Sequence, residues 1–268
     1  MSDVVQSIMG IYTQYGAMLD GFLLVFARVL GFITTAPILN RKDVVFFTKL
    51  ALAIFLTIAI VALLMPKGAA ALVAMPTTFT IGVFLLLLAV NAVVGLMIGF
   101  IANLLIEVVT SVGDLINNQL GLSAAMMFDP ASKRQVMVLE PLFGFLAVIL
   151  FLEIGGMGWL LKALWRTFEV FPLYEVNPRL FERLDIDTII NLSGMVIEMA
   201  TLIMAPVLLV TLAVDIMLAI VNRAAQQIPV FQLSFGLKPA IGMAVLLISL
   251  PTMVEMIIHF FEDHQRLF

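Results

Sequence analysis

The sequence contains no cysteine, which excludes a disulfide framework, a thiolate metal site and a thiol nucleophile. Charge is also scarce, because only 12% of the 268 residues are charged, against about 25% in an ordinary soluble domain. The 14 basic and 18 acidic residues give a net charge of −4, which offers no basic surface for nucleic acid and no polybasic run for anionic headgroups. Binding to nucleic acid is therefore not expected.

The signatures of intramembrane catalysis are missing as well. The two histidines, His259 and His264, are five residues apart near the C-terminus, and no HExxH sequence is present. The segment Ser-Val-Gly-Asp at 111–114 lacks the first glycine of a GxGD protease, and there is no P-loop lysine. We therefore expect no enzyme, no cofactor and no metal site, and any energy for work must come from a partner or from the proton gradient.

Apolar residues are abundant, at 63% of the chain with a mean hydropathy of +1.16, and this indicates a polytopic membrane protein surrounded by lipid. Six apolar stretches are long enough for the roughly 20 residues of a bilayer crossing: 16–36, 44–65, 77–108, 136–166, 187–221 and 238–262. Breakers separate them, among them residues 65–68 and 226–239. The predicted fold class is all-α, a single membrane domain over 1–268 with about six long, broken helices in two packed halves.

Charged side chains inside these stretches are candidates for function, because each costs about 2.5–3.5 kcal/mol near the centre of a lipid-facing helix. Arg28, Glu107 and Glu140 allow a second interpretation, since a long side chain near a helix end can snorkel to the interface. Glu198 and Asp215 fit it poorly, because apolar residues flank them for several turns. We predict buried inter-helix or inter-subunit contacts for four charges: Arg28, Glu198, Asp215 and Arg223.

The third stretch carries small and polar residues at a strict spacing of four: Asn91, Gly95, Gly99, Asn103 and Glu107. Gly95 and Gly99 form a GxxxG motif, in which the missing side chains let a neighbouring backbone approach, and asparagines can bond across the contact. Steps of four overshoot the 3.6-residue turn, so this stripe winds around its helix and fits a neighbour that crosses at an angle. That neighbour is either a helix of the same chain or a partner subunit.

The segment NNQLGLSAAMMFDPAS at 117–132 is both flexible and apolar. Its Asp129-Pro130 pair predicts a helix start, because proline needs no amide donor there and aspartate can accept a bond from the first turn. The eight residues before it are then non-helical or weakly helical: Gly121, Leu122, Ser123, Ala124, Ala125, Met126, Met127 and Phe128.

Neither lipid nor water suits the segment 121–128. Irregular backbone at membrane depth would leave its amides unsatisfied in lipid. In water, each large apolar side chain would stay exposed at about 1.5–3 kcal/mol. We predict that this segment lies in a protein-walled cavity or pore, where flexible methionines suit an irregular wall. The alternative is a buried turn that only fills space.

Three stretches together make the chain similar to the FliR/SctT family, the export-gate subunits of flagellar and virulence type III secretion. The first is Arg28 with TTAPI at 34–38, and the second is QLGL at 119–122 with FDPAS at 128–132. The third is NRAAQQ at 222–227, followed by VF and LK. The stretches occur in the family's order and at compatible spacing. Ala225-Gln226 departs from the family's usual Ala-Pro.

The resemblance implies a subunit of a helical, cone-shaped pore for unfolded substrates in the bacterial inner membrane. Its partners would be FliP-like and FliQ-like gate subunits and the FlhB-like and FlhA-like export components, with residues 1–166 FliP-like and 187–268 FliQ-like. In that family the loop matching 121–128 plugs the closed pore. The flagellar branch is favoured over the injectisome branch. An ion-coupled secondary transporter is the rival, since such carriers use broken helices and buried acids.

Overall fold

The computed structural model describes residues 2–39, 44–73, 81–122, 138–174 and 186–264. These ranges contain seven helices: α1 (Ser2–Thr35), α2 (Phe46–Val73), α3 (Ile81–Gln119), α4 (Leu139–Glu153), α5 (Gly156–Val170), α6 (Ile186–Ala224) and α7 (Val230–His264). Helices α2, α3, α6 and α7 are long and apolar enough to cross a membrane, and α4 with α5 forms a fifth candidate. The predicted class, an all-α polytopic membrane protein, is confirmed.

Several helix boundaries differ from the prediction. The apolar stretch 136–166 contains two helices, because Gly155 adopts a left-handed conformation with φ of 82° and interrupts it. The break predicted at 65–68 is wrong, since α2 continues to Val73. An internal proline can kink a helix without ending it. Likewise α7 begins at Val230 and runs through Pro239 and Pro251.

The chain forms two compact units. The first comprises Met1–Asn103 and Gly158–Leu184. Here α1 packs against α2, and α1 contributes a fully buried apolar stripe that includes Val25, Val29 and Ile33. The spacing of four residues places these side chains on one face of the helix. The sequence therefore encodes the core of this unit in the periodicity of α1.

The second unit comprises Leu104–Met157 and Asp185–Phe268. Helices α6 and α7 form a hairpin, and α4 packs against α7, where Phe151 and Phe261 meet edge to face at 5.7 Å. The C-terminal part of α3 belongs to this unit and the N-terminal part to the other. The two units therefore differ from the halves 1–166 and 187–268 in their chain boundaries, and that division stays a prediction.

Much of the apolar surface is exposed on the single chain. Phe47, Ile81 and Ile248 are 77%, 79% and 81% exposed, respectively. In an apolar window of 18 residues within each of the four single-helix candidate spans, only 17–33% of the residues are buried. A monomeric soluble protein does not leave such large apolar surfaces uncovered. Lipid or other protein must therefore cover these helices.

Candidate functional site

Helices α1 and α3 approach each other closely in the first unit. A Cβ atom on Gly95 would overlap the carbonyl group of Arg28, and one on Gly99 would overlap the Thr35 hydroxyl. Across the same contact, Thr35 Oγ1 donates a hydrogen bond to the Leu96 carbonyl at 3.0 Å. The sequence allowed either a helix of the same chain or a partner subunit as the neighbour of Gly95 and Gly99. The structure places α1 of the same chain against them.

Asn103 and Glu107, the last two residues of the stripe, do not share this contact with α1. Asn103 is half-buried, whereas Glu107 is exposed and belongs to the second unit. Each step of four residues rotates the side chain by about 40° around the helix. Three or four such steps beyond Asn91 turn the stripe away from α1. The predicted packing face is therefore found for Asn91, Gly95 and Gly99 only.

Arg28 is enclosed in the first unit, with 1% of its surface exposed. Its Nε and Nη2 atoms donate to Asn91 Oδ1 at 3.0 and 2.5 Å. Nη1 donates to the Thr167 carbonyl and Nη2 to the Phe171 carbonyl, both at 2.9 Å. The guanidinium carbon also lies 4.6 Å from the centre of the Phe168 ring. We refer to Arg28, Asn91 and the segment 167–173 as the Arg28 clamp.

The Arg28 clamp neutralises a buried cation with dipoles. Among the residues that the structure describes, no carboxylate lies within ion-pair distance of Arg28. Besides Asn91 Oδ1, its acceptors include the Thr167 and Phe171 carbonyls at the C-terminal end of α5, where the helix macrodipole is negative. Asn91 Nδ2 in turn donates to the carbonyls of Leu87 and Leu173, at 2.8 and 3.1 Å. The clamp therefore joins α1, α3 and the chain that follows α5.

Tyr174 directly follows the clamp and is half-buried. Burial, and secondly the negative charge of Asp20, raise the pKa of Tyr174 to about 12. The phenol is therefore neutral at physiological pH and adds no charge beside Arg28.

The other predicted buried charges lie on the α6–α7 hairpin. Asp215 forms an ion pair with Lys238 of α7 at 2.5 Å, and their side chains are 39% and 22% exposed. An inter-helix contact is thus found for Asp215. The prediction that Glu198 and Arg223 are buried is wrong for the single chain. Both are exposed, because they lie on a face of α6 that no described helix covers. Their contact with a partner subunit stays a prediction.

The start of the predicted plug is attached to the hairpin. Helix α3 ends at Gln119, and the next residue, Leu120, is fully buried. A Cβ atom on Gly242 of α7 would overlap a methyl group of the Leu120 side chain, which would then have to shift. Gly121 then takes a left-handed φ of 71°, and its amide donates to the Asn118 carbonyl at 3.1 Å, which terminates the helix. Sequence reasoning missed the Leu120–Gly242 contact because only the fold brings these residues together.

The structure describes the first two residues of the predicted plug at 121–128. Gly121 and Leu122 are half-buried. Ser123–Phe128, with the predicted helix start at Asp129 and Pro130, lie outside the described residues. The plug therefore stays a prediction.

An acidic cleft of about 200 Å³ opens between α3 and α4 in the second unit. Glu107, Asp114 and Glu140 line it together with Thr110 and Ser111. Asn118 Nδ2 donates to Asp114 Oδ1 at 3.2 Å. Over the described parts of the chain, no group of three or more potential ligands is arranged to hold a metal ion.

A sequence model of the family described as Bacterial export proteins, family 1, matches residues 19–264. The chain belongs to this family. The matched range contains the Arg28 clamp, the glycine pair of α3 and the α6–α7 hairpin. The clamp and the hairpin are thus parts of a family 1 export protein, and the predicted membership of the FliR/SctT family is confirmed.

This family 1 export protein is similar to flagellar and secretion proteins of several bacteria. The chain is 30% identical over 240 residues to the flagellar biosynthetic protein FliR of Escherichia coli K12. The aligned region covers 88% of this chain and 86% of that protein. It is 26% identical over 234 residues to FliR of Bacillus subtilis 168, with 87% of each chain covered. It is 24% identical over 176 residues to the surface presentation of antigens protein SpaR of Shigella flexneri, and this alignment covers 66% of this chain and 67% of SpaR.

Proposed function

We propose that this chain is the FliR-type subunit of the type III export gate in the bacterial inner membrane. With FliP-like and FliQ-like subunits it forms the pore through which unfolded flagellar substrates pass. The observation that carries the proposal is the family match over residues 19–264, together with flagellar relatives of nearly the same extent. The FlhB-like and FlhA-like components complete its partners.

The exposed surface supports assembly with other subunits. The candidate spans leave most of their residues unburied, and α6 exposes Leu209, Leu212 and Ile216 by 50–65% along one apolar face. Glu198 lies on the uncovered side of the same helix. A carboxylate inside an apolar span is costly in lipid and is expected to face protein. Partner helices therefore suit this surface better than lipid alone.

The end of α3 supports a plug at 121–128. Leu120 is held beneath α7 and Gly121 stops the helix, so the predicted loop starts from a fixed point. Apolar side chains dominate the loop, and Met126 and Met127 can repack when a substrate passes. A fixed start and a deformable body are the properties that a plug requires.

The plug is tested in the complete gate. Deleting residues 121–128 should leave co-purification of the gate subunits intact and make the membrane leak ions. Replacing Met126 and Met127 by aspartate should also cause leakage, because charge wets the seal, whereas leucine at both positions is the apolar control. Ion flux into vesicles that contain the gate measures both effects. Unchanged permeability with normal secretion would reduce 121–128 to a spacer.

An injectisome gate subunit is the second candidate function, and the similarity to SpaR favours it. Complementation separates the two, because a flagellar subunit should restore motility to a strain that lacks its own gate subunit. The transporter alternative has weaker support, since Asp215 is already paired with Lys238 in the same chain. A transporter should also purify stably alone, whereas a gate subunit should require co-expressed partners.

A further inference from the structure

The tip of the α6–α7 hairpin, residues 222–231, is a preformed turn. The Ala225 amide donates to the Val221 carbonyl at 2.8 Å, and the Ile228 amide to the Ala225 carbonyl at 3.1 Å. The Gln232 amide donates to the Pro229 carbonyl at 2.9 Å and starts α7. Below the turn, the Asp215–Lys238 ion pair connects the two helices. The turn therefore needs none of its exposed side chains to keep its shape.

Those exposed side chains combine one cation with amides and apolar groups. Arg223, Gln226 and Gln227 are exposed. Phe231 is 67% exposed, and its ring packs edge to face on the Phe235 ring with 4.6 Å between the ring centres. Ile228 beside it is 39% exposed. The hairpin tip thus presents an exposed apolar surface next to hydrogen-bonding groups.

Arg223 has no acidic residue available on its own hairpin turn. The sequence contains neither aspartate nor glutamate between Asp215 and Glu255, and Asp215 is engaged by Lys238. Arginine binds carboxylates through paired, charge-assisted hydrogen bonds. Complementary charge on a partner is therefore the expected match for this position.

A protein partner fits the hairpin tip better than a lipid surface. Recognition of anionic lipid by charge uses clusters of about four to eight basic residues, whereas the tip carries one. Glutamine side chains both donate and accept, which matches the peptide groups of a protein segment. The exposed aromatic ring and the arginine are the residue types that concentrate binding energy in protein interfaces.

We propose that the hairpin tip docks a segment of another subunit of the export apparatus. That segment places a carboxylate on Arg223 and an apolar side chain against Phe231 and Ile228. The inference rests on the proposed function, and it assigns the surface-exposed part of the motif at 222–231 to a subunit contact. Lys238, in the same sequence motif, instead stabilises the hairpin.

Photo-crosslinking in cells tests this docking. A photoreactive amino acid replaces Gln227 in the full chain, and a second variant carries it at Ile248, which is 81% exposed farther along α7. The Gln227 adduct should map by mass spectrometry to one stretch of a gate component that contains Asp or Glu. Arg223→Glu should lower its yield about tenfold, as the loss of a charge-assisted contact predicts. Exchanging the mapped acid for arginine in the partner should restore it.

Arg166→Glu is the matched control, since Arg166 is an exposed arginine outside the hairpin, and it should leave the adduct unchanged. Arg223→Gln and Phe231→Ala should each lower the yield at normal protein levels. An adduct to lipid or to a second copy of this chain, or a yield indifferent to Arg223→Glu, overturns the docking. Failure of the unmodified chain to co-purify with gate components would instead refute the proposed function.

Discussion

The Arg28 clamp predicts a specific energetic coupling between Arg28 and Asn91. Arg28→Met keeps much of the side-chain volume but removes every donor. Asn91 Oδ1 and the Phe171 carbonyl then lose their Arg28 bonds, whereas the Thr167 carbonyl keeps the Phe171 amide at 2.9 Å. Each buried acceptor left unsatisfied costs about 1–3 kcal/mol, so two cost about 2–6 kcal/mol.

Two effects reduce the expected cost of Arg28→Met. Removing a buried cation relieves its own desolvation penalty. Polar contacts measured within membrane proteins average only about 0.6 kcal/mol, because the unfolded chain in the membrane also finds partners. We therefore expect about 2–3 kcal/mol for Arg28→Met. The stability of Arg28→Lys should fall between that of the unmodified chain and that of Arg28→Met. Lysine keeps the charge but lacks the planar guanidinium that binds two acceptors at once.

A double-mutant cycle measures the coupling. Arg28→Met, Asn91→Ala and the double variant are compared by the thermal midpoint at which the purified gate complex dissociates in detergent. The double variant should lose less stability than the sum of the two single variants, by about 0.5–3 kcal/mol for contacting residues. Arg166→Met, on an exposed arginine, is the control and should change little. Additive losses, or an Arg28→Met midpoint equal to that of the control, would refute the assigned geometry.

Two further predictions concern helix contacts. Gly95→Leu should abolish stable expression, because the leucine side chain would overlap the Arg28 backbone. Gly82→Leu is the control and should be tolerated in the same expression assay, since no atom lies within 4 Å of a Cβ there. Equal expression of the two variants would disprove the close approach of α1 and α3. Lys238→Met should lower the stability by about 1 kcal/mol or less, as for a partly exposed pair, and so lower the thermal midpoint only modestly. Adding Asp215→Asn should recover the midpoint, and no recovery would show that Lys238 stabilises the hairpin by other means.

The sequence predicted much of the candidate site at the level of residues, although not of partners. The four-residue spacing of Asn91, Gly95 and Gly99 indicated a close helix contact, because spacing along a helix determines which side chains share a face. It could not show that α1 supplies the neighbour. The charge of Arg28 required compensation, yet two of its acceptors are the backbone carbonyls of Thr167 and Phe171, which have no signature in the sequence.

The membrane class, the helical architecture and the family membership were determined by the sequence alone, because they depend on composition, on the length of apolar runs and on short ordered motifs. Tertiary structure alone decided that Asp215 pairs with Lys238, that Glu198 and Arg223 face outward, and that Leu120 packs on Gly242. These outcomes depend on which distant segments meet and at what angle. Local periodicity specifies the face that a helix buries, and only the packed fold selects what that face contacts.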